Sequence, residues 1–252
     1  MGGSGWAENF DFYEGSSGED RAIVTLDLAA RGHVPLATHP LRLQFRVEML
    51  HPRTDGLRSA TEAPALFALE DRLVDMVRTL EGIYVGRVVA QGFTAFYFYL
   101  PAAQREQAQL AGELVGDVTP YELEWMVEDD PEWERYGALF PNRYALQTIL
   151  NRRLVAQMVK SGDQLDMPRE IDHAAHFPSR MQAAAASEAL VAAGYRVGPL
   201  AEEKKWFLEF HRQERCDGEE PDRFVFAVLD LLEPHEGEYD GWGSAVQRSP
   251  TQ

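Results

Sequence analysis

Two stretches of this chain concentrate residue types able to do chemistry. "DHAAHF" offers Asp172, His173 and His176, two imidazoles and a carboxylate of the kinds that ligate divalent metals. "HEGEYDGWG" sets His235, Glu236, Glu238 and Asp240 among Tyr239, Trp242 and glycines. Carboxylates two apart on one strand face can hold a cation, or divide general acid and general base roles. A metal-dependent hydrolase using Asp172, His173, His176, Glu238 and Asp240 is therefore one reading.

Strand geometry favours another. Residues i and i+3 of a strand point to opposite faces, so His173 and His176 meet at one metal only if the strand breaks between them. In a regular final strand Glu238, Asp240 and Trp242 share one face, and Tyr239 and Gly241 the other. Gly237 and Gly241 permit bends or bulges that other residues resist. The preferred reading is a structural corner with an exposed acidic and aromatic surface. Its candidate partner-binding residues are Asp172, His173, Glu238, Tyr239, Asp240 and Trp242. No residue is assigned a catalytic, cofactor-binding or metal-binding role.

Two further features bear on function. The hairpin "QGFTAFYFYL" has the aromatic density of an RNA-recognition strand. Gln91 stands where that motif needs a base, the aromatic spacing is one residue out, and some of Phe96, Tyr97, Phe98 and Tyr99 must pack on helices. Direct RNA binding is thus the lesser alternative. Cys216 lies in a polar loop, with Glu214, Asp217 and Glu219 opposing the effect of Arg215 on its pKa, and reads as an ordinary thiol. The chain has no G-x-S-x-G, P-loop or G-x-G-x-x-G motif.

Charge narrows the partners. The formal net charge is −17 over 252 residues. Residues 1–140 hold 11 basic and 23 acidic residues, net −12, and the remainder 13 and 18, net −5. Both parts repel phosphate backbones, so a basic protein segment is the better electrostatic partner. A single cysteine excludes an intramolecular disulfide and suits the cytoplasm. No apolar run reaches the roughly 20 residues of a spanning helix, and the first ten residues lack the basic and apolar regions of a signal peptide.

The elements that must position these residues read as two runs of one rhythm. In the first, strands at 21–28 and 41–50 precede a helix whose Leu66, Leu69, Leu73, Val77 and Leu80 follow helical spacing. A hairpin turning at Gln91-Gly92, a helix at 101–115 and a strand at 121–127 complete it. Residues 128–144 break the periodicity, and their aromatics suggest a packed linker. The second run is a helix ending at Gly162, a strand at 168–177, a helix capped by Ser179 and closed by Gly194, two strands, a helix and a final strand. The predicted class is α+β, with two ferredoxin-like βαββαβ sandwich domains, residues 1–140 and 141–252. Each is an antiparallel sheet with helices on one face. In strand order 4-1-3-2 the first and last strands are neighbours, which would bring the two chemical stretches together.

At these residues a family resemblance enters. Gly162-Asp163, then Pro168, Arg169, Ile171, His173 and Phe177, then Tyr239 to Trp242, resemble the regulator of ribonuclease activity B family. The first half, in "PRTDGL", "LEDRL", "YVGRVVAQGFTAFYFY" and "DPEWERY", is similar to domain of unknown function 695. The resemblance implies a non-enzymatic cytoplasmic bacterial regulator without cofactor. Its partner would be a protein, with an endoribonuclease of the ribonuclease E type as the expected target and modulated RNA decay as the outcome.

Overall fold

The structure, a computed structural model, describes residues 5–116, 120–202 and 204–248; the opening tetrapeptide of the amino-terminal reading lies outside them. The chain forms two compact units, Met1–Ala145 and Leu146–Gln252. Each holds one antiparallel sheet with helices, so the chain is a mixed α and β protein.

The first unit contains β1 (Phe10–Ser17), β2 (Asp20–Asp27), β3 (Leu41–Glu48), α1 (Ala63–Thr79), β4 (Ile83–Ala90), β5 (Phe93–Leu100), α2 (Arg105–Gly116), β6 (Leu123–Asp129) and α3 (Glu134–Leu139). The sheet order is β1-β2-β4-β5-β3-β6. The β4–β5 turn places Gln91 and Gly92 at φ of 53° and 81°, the two positive values that a tight two-residue hairpin needs. β1 was not expected, because its charged and small residues weaken the strand pattern; it pairs with β2 over its whole length.

Period-2 alternation sends the two faces of β5 to two cores, and β3 joins the first of them. Leu43, Phe45, Phe96 and Phe98 meet Leu66, Leu69 and Leu73 of α1 on one face. Tyr97 and Tyr99 meet Trp133 and Tyr136 on the other. Trp133 lies flat on Tyr99, ring centroids 3.7 Å apart, while Asp130 accepts from Tyr99 Oη at 2.6 Å and from the Glu134 N–H at 2.7 Å. The aperiodic 128–144 stretch thus closes the second face, with α3 opposite α1. Helices on one face alone does not describe this unit.

The second unit contains α4 (Arg143–Lys160, beginning in the first), β7 (Arg169–Phe177), α5 (Arg180–Ala192), the two-residue β8 (Arg196–Val197) and β9 (Ala201–Glu202), β10 (Trp206–Glu214), α6 (Glu220–Leu232) and β11 (Glu238–Gly243). The order is β11-β7-β10-β8, with β9 also on β10. Ser179 Oγ accepts from the Gln182 N–H at 3.3 Å as the α5 cap. Ala175, Phe177, Leu208 and Phe210 bury against Ala183, Ala186 and Leu190 of α5 and Val228 and Leu232 of α6. The small alanines let α5 lie close on the sheet. The strand between α5 and β10 shrinks to two short bridges, because Gly198 and Pro199 interrupt it.

Candidate functional site

β7 is the centre of the site, and its alternation decides what each residue can do. Arg169, Ile171, His173, Ala175 and Phe177 turn inward to the helices, and Glu170, Asp172, Ala174 and His176 turn outward. β11 pairs with β7, but its register shifts between Tyr239 and Gly241. Asp240 is the extra residue of this bulge, and Gly241 takes φ of 123°. The bulge restarts the alternation: Tyr239 and Trp242 both face inward, while Glu238 and Asp240 stay outward. The expectation that Trp242 shares a face with the two acids is corrected by that one residue.

Inward, the closing Tyr-Asp-Gly-Trp segment is a clamp. Tyr239 Oη lies 2.8 Å from His173 Nδ1. The His173 ring stacks on Phe210 at 5.2 Å and meets Tyr195 and Phe224 edge-on. Burial, then the nearby Arg212 charge, pushes its pKa down to about 3, so it is neutral. Trp242 Nε1 donates to Asn151 Oδ1 at 2.7 Å, and Asn151 Nδ2 donates to Asp222 Oδ1 at 2.7 Å. Thr148 Oγ1 donates to the other Asp222 oxygen at 2.9 Å. One polar chain thereby fastens β11 to α4 and α6. A Cβ on Gly237 would stand 2.7 Å from the Phe177 ring, so only glycine lets the chain enter β11 here.

The residues at the β7 entrance are structural as well. Arg169 and Asp163 form an ion pair whose side chains are 1% and 0% exposed. Arg169 Nη1 donates to both Asp163 oxygens at 2.7 Å, its Nε to Met167 O, and its Nη2 to Gln164 O. Asp163 Oδ2 also accepts from the Gln247 N–H, pinning the chain after β11. Cys216 is buried beside this pair, and burial raises its pKa to about 11, so its thiol is unreactive at neutral pH.

Outward, the sheet face is acidic, with Glu170, Asp172, Glu209, Glu238 and Asp240 exposed. Asp172 Oδ1 lies 2.8 Å from Nδ1 of His211, its cross-strand partner on β10. His176 Nε2 is 3.8 Å from Asp240 Oδ2 and packs its ring against Phe207. Glu238 pairs with Lys205, which lowers its pKa, and Glu170 pairs with Arg196. Asp172, Glu209, His211, Asp240 and Gly241 line a depression of about 530 Å³.

Of the six candidate contact residues, Asp172, Glu238 and Asp240 are therefore on the open face. His173, 2% exposed, and the half-buried Tyr239 and Trp242 turn their polar atoms inward, while His173 and Trp242 also border the depression. The hydrolase cluster is divided by the same geometry: His173 is across the sheet from Asp172, Glu238 and Asp240, while His176 lies beside Asp240 on the outward face. Glu170, Asp172 and His211 do bring ligand-type atoms within 4.8 Å of one another, but Arg196 and the Asp172–His211 contact already engage them. The RNA-binding alternative loses its platform, because Phe96, Tyr97, Phe98 and Tyr99 are all at most 2% exposed. Sequence reasoning missed His211, Glu209 and Phe207, which the alternation of "WFLEFHRQ" places on the outward face.

The sheet order, the inward clamp and the open acidic face define a two-unit α and β protein whose shared motifs are built into its cores. Residues 8–140 match the family of unknown function DUF695, and the chain belongs to that family. Residues 148–244 match the family described as regulator of ribonuclease activity B. No curated protein matches the chain. Among solved structures, one described as a glycine cleavage system transcriptional repressor is 5% identical and covers 81% of this chain and 98% of its own, with a TM-score of 0.25. An unknown protein from Galdieria sulphuraria is 9% identical and covers 82% and 99%, with a TM-score of 0.23. Among the described residues no helix is long and apolar enough to cross a membrane.

Proposed function

We propose that this chain is a non-enzymatic cytoplasmic regulator that acts by binding a protein, and that its partner is an endoribonuclease of the ribonuclease E type. The match of residues 148–244 to the regulator family supports the partner class. The observation that carries the binding mode is the acidic outer face of the second sheet, where exposed Glu170, Asp172, Glu209, Glu238 and Asp240 stand against Lys205 and Arg196. Such a face suits a basic segment, giving selectivity and fast association more than raw affinity. The His176 and Phe207 rings, tilted 43° to each other beside the carboxylates, offer aromatic faces for a guanidinium.

We also take each unit as a ferredoxin-like sandwich, with a domain boundary near residue 140. Numbered within each βαββαβ run, β4-β5-β3-β6 and β8-β10-β7-β11 both follow the order 2-3-1-4 of that fold.

The test uses the purified full chain and a purified ribonuclease E-type enzyme. Binding and slower RNA cleavage are expected at low salt, both weakening steeply as salt rises. Absence of binding at low salt, with the chain folded, overturns the reading.

A further inference from the structure

We propose that the first unit carries an oxyanion site, for a carboxylate or phosphate group, at the guanidiniums of Arg58 and Arg87 over the Phe67 ring. Three separated segments meet there. Arg58 follows the turn at 53–56, Phe67 and Glu70 are on α1, and Arg87 is on β4. The Arg58 guanidinium carbon lies 4.1 Å from the Phe67 centroid and that of Arg87 lies 5.4 Å from it. Phe67 is 42% exposed, the Arg87 side chain 16%, and Arg58 is half-buried, so the cluster reaches solvent through Phe67 and Arg58.

The local charges do not balance. Glu70 is the carboxylate of this cluster, and one of its oxygens already accepts from Tyr84 Oη at 2.6 Å and from Arg87 Nη1. Among the described residues no carboxylate lies within 4.0 Å of the Arg58 guanidinium. Arg58 is half-buried, and burial, then repulsion from Arg87, pulls its pKa below the usual guanidinium range, with Glu70 only partly offsetting this. A partly desolvated cation beside a second cation is costly unless an anion joins it. Planar guanidiniums grip two oxygens at once, which fits a carboxylate or phosphate. The alternative is that the Phe67 ring alone accommodates Arg58.

The experiment is a titration of the full chain with sodium phosphate and, separately, sodium acetate, with sodium chloride at matched ionic strength as control. The arginine Nε–H signals are followed by NMR. Saturable shifts at Arg58 and Arg87, absent with chloride, are expected, and in Arg58→Gln the Arg87 shift should saturate at about tenfold or more higher anion concentration, since a hydrogen bond to a charged group is worth about 1.5–3 kcal/mol. The anion that saturates first states whether the natural group is phosphoryl or carboxyl. Non-saturating shifts, or shifts equal in chloride or unchanged in Arg58→Gln, overturn the site. This outcome is independent of ribonuclease binding, which rests on the second unit.

Discussion

Trp242 and Asn151 are 91 residues apart, and the indole Nε1 donates to the carboxamide oxygen at 2.7 Å inside the second unit. Asn151 is 3% exposed and spends its amino group on Asp222, so its orientation is fixed from both sides. The tryptophan therefore holds α4 on the sheet. Trp242→Phe keeps an aromatic ring against Phe224 but strands the Asn151 oxygen. An unmade buried hydrogen bond costs about 1–3 kcal/mol. Chemical denaturation should show a loss of that size for the second unit, while partner binding by the still-folded variant stays within about twofold, which is below 0.5 kcal/mol. Intact stability with lost binding would instead restore Trp242 as a contact residue.

The Asp163–Arg169 pair gives a sharper stability test. Both side chains are buried, and together they bind Met167 O, Gln164 O and the Gln247 N–H. Removing one partner leaves a charge buried alone, which costs about 3–5 kcal/mol. Asp163→Ala should accordingly destabilise the second unit strongly. Replacing both together, as Asp163→Leu with Arg169→Met, should recover a substantial part of the loss. If the single variant melts like the parent, the pair is not buried in solution.

Much of this was legible in the sequence, and the exceptions have physical causes. Period-2 runs and helical spacing located α1, α5, α6, β7 and β10, because each buries one face against a core, and β5, buried on both faces, was located by its aromatic and β-branched composition. β1 was missed because Asp11, Glu14 and Gly15 dilute its alternation, and its pairing with β2 supplies what its pattern lacks. The inward turn of Trp242 was not legible. A bulge shifts every later side chain to the other face, and a glycine permits a bulge without announcing it. The role of Asp163 and Arg169 depends on a contact across a loop and on a return of the chain at Gln247, neither of which a spacing rule encodes.

His173 makes the second unit sensitive to acid. Its pKa falls from 6.5 to about 3 on folding, because burial disfavours the imidazolium. Between those values the unfolded chain binds a proton that the folded chain refuses. Stability therefore rises with pH across that window and is lost as pH falls through it, with a limiting slope of about 1.4 kcal/mol per pH unit from this one group. His173→Phe, which keeps the stacking on Phe210, should flatten the dependence of the denaturation midpoint on pH between about 4 and 6. The parent slope persisting in the variant would mean that other groups carry the acid sensitivity.

The open face predicts how binding responds to charge without loss of fold. Asp172 and Asp240 are exposed, and their contacts are cross-strand pairs with His211 and His176. Exposed pairs of this kind contribute little to stability, about 0–1 kcal/mol. Asp172→Lys with Asp240→Lys should leave the melting temperature nearly unchanged and reverse the sign of the depression they line. Association with a basic partner should then slow by an order of magnitude or more at low salt, and the difference from the parent should shrink as salt approaches about 0.5 M, where screening shortens the range of these charges. The same pair of substitutions on the exposed acids of α1, Asp71 and Asp75, is the control for bulk charge. Equal slowing by both variants would assign the effect to net charge and remove the sheet face as the binding surface.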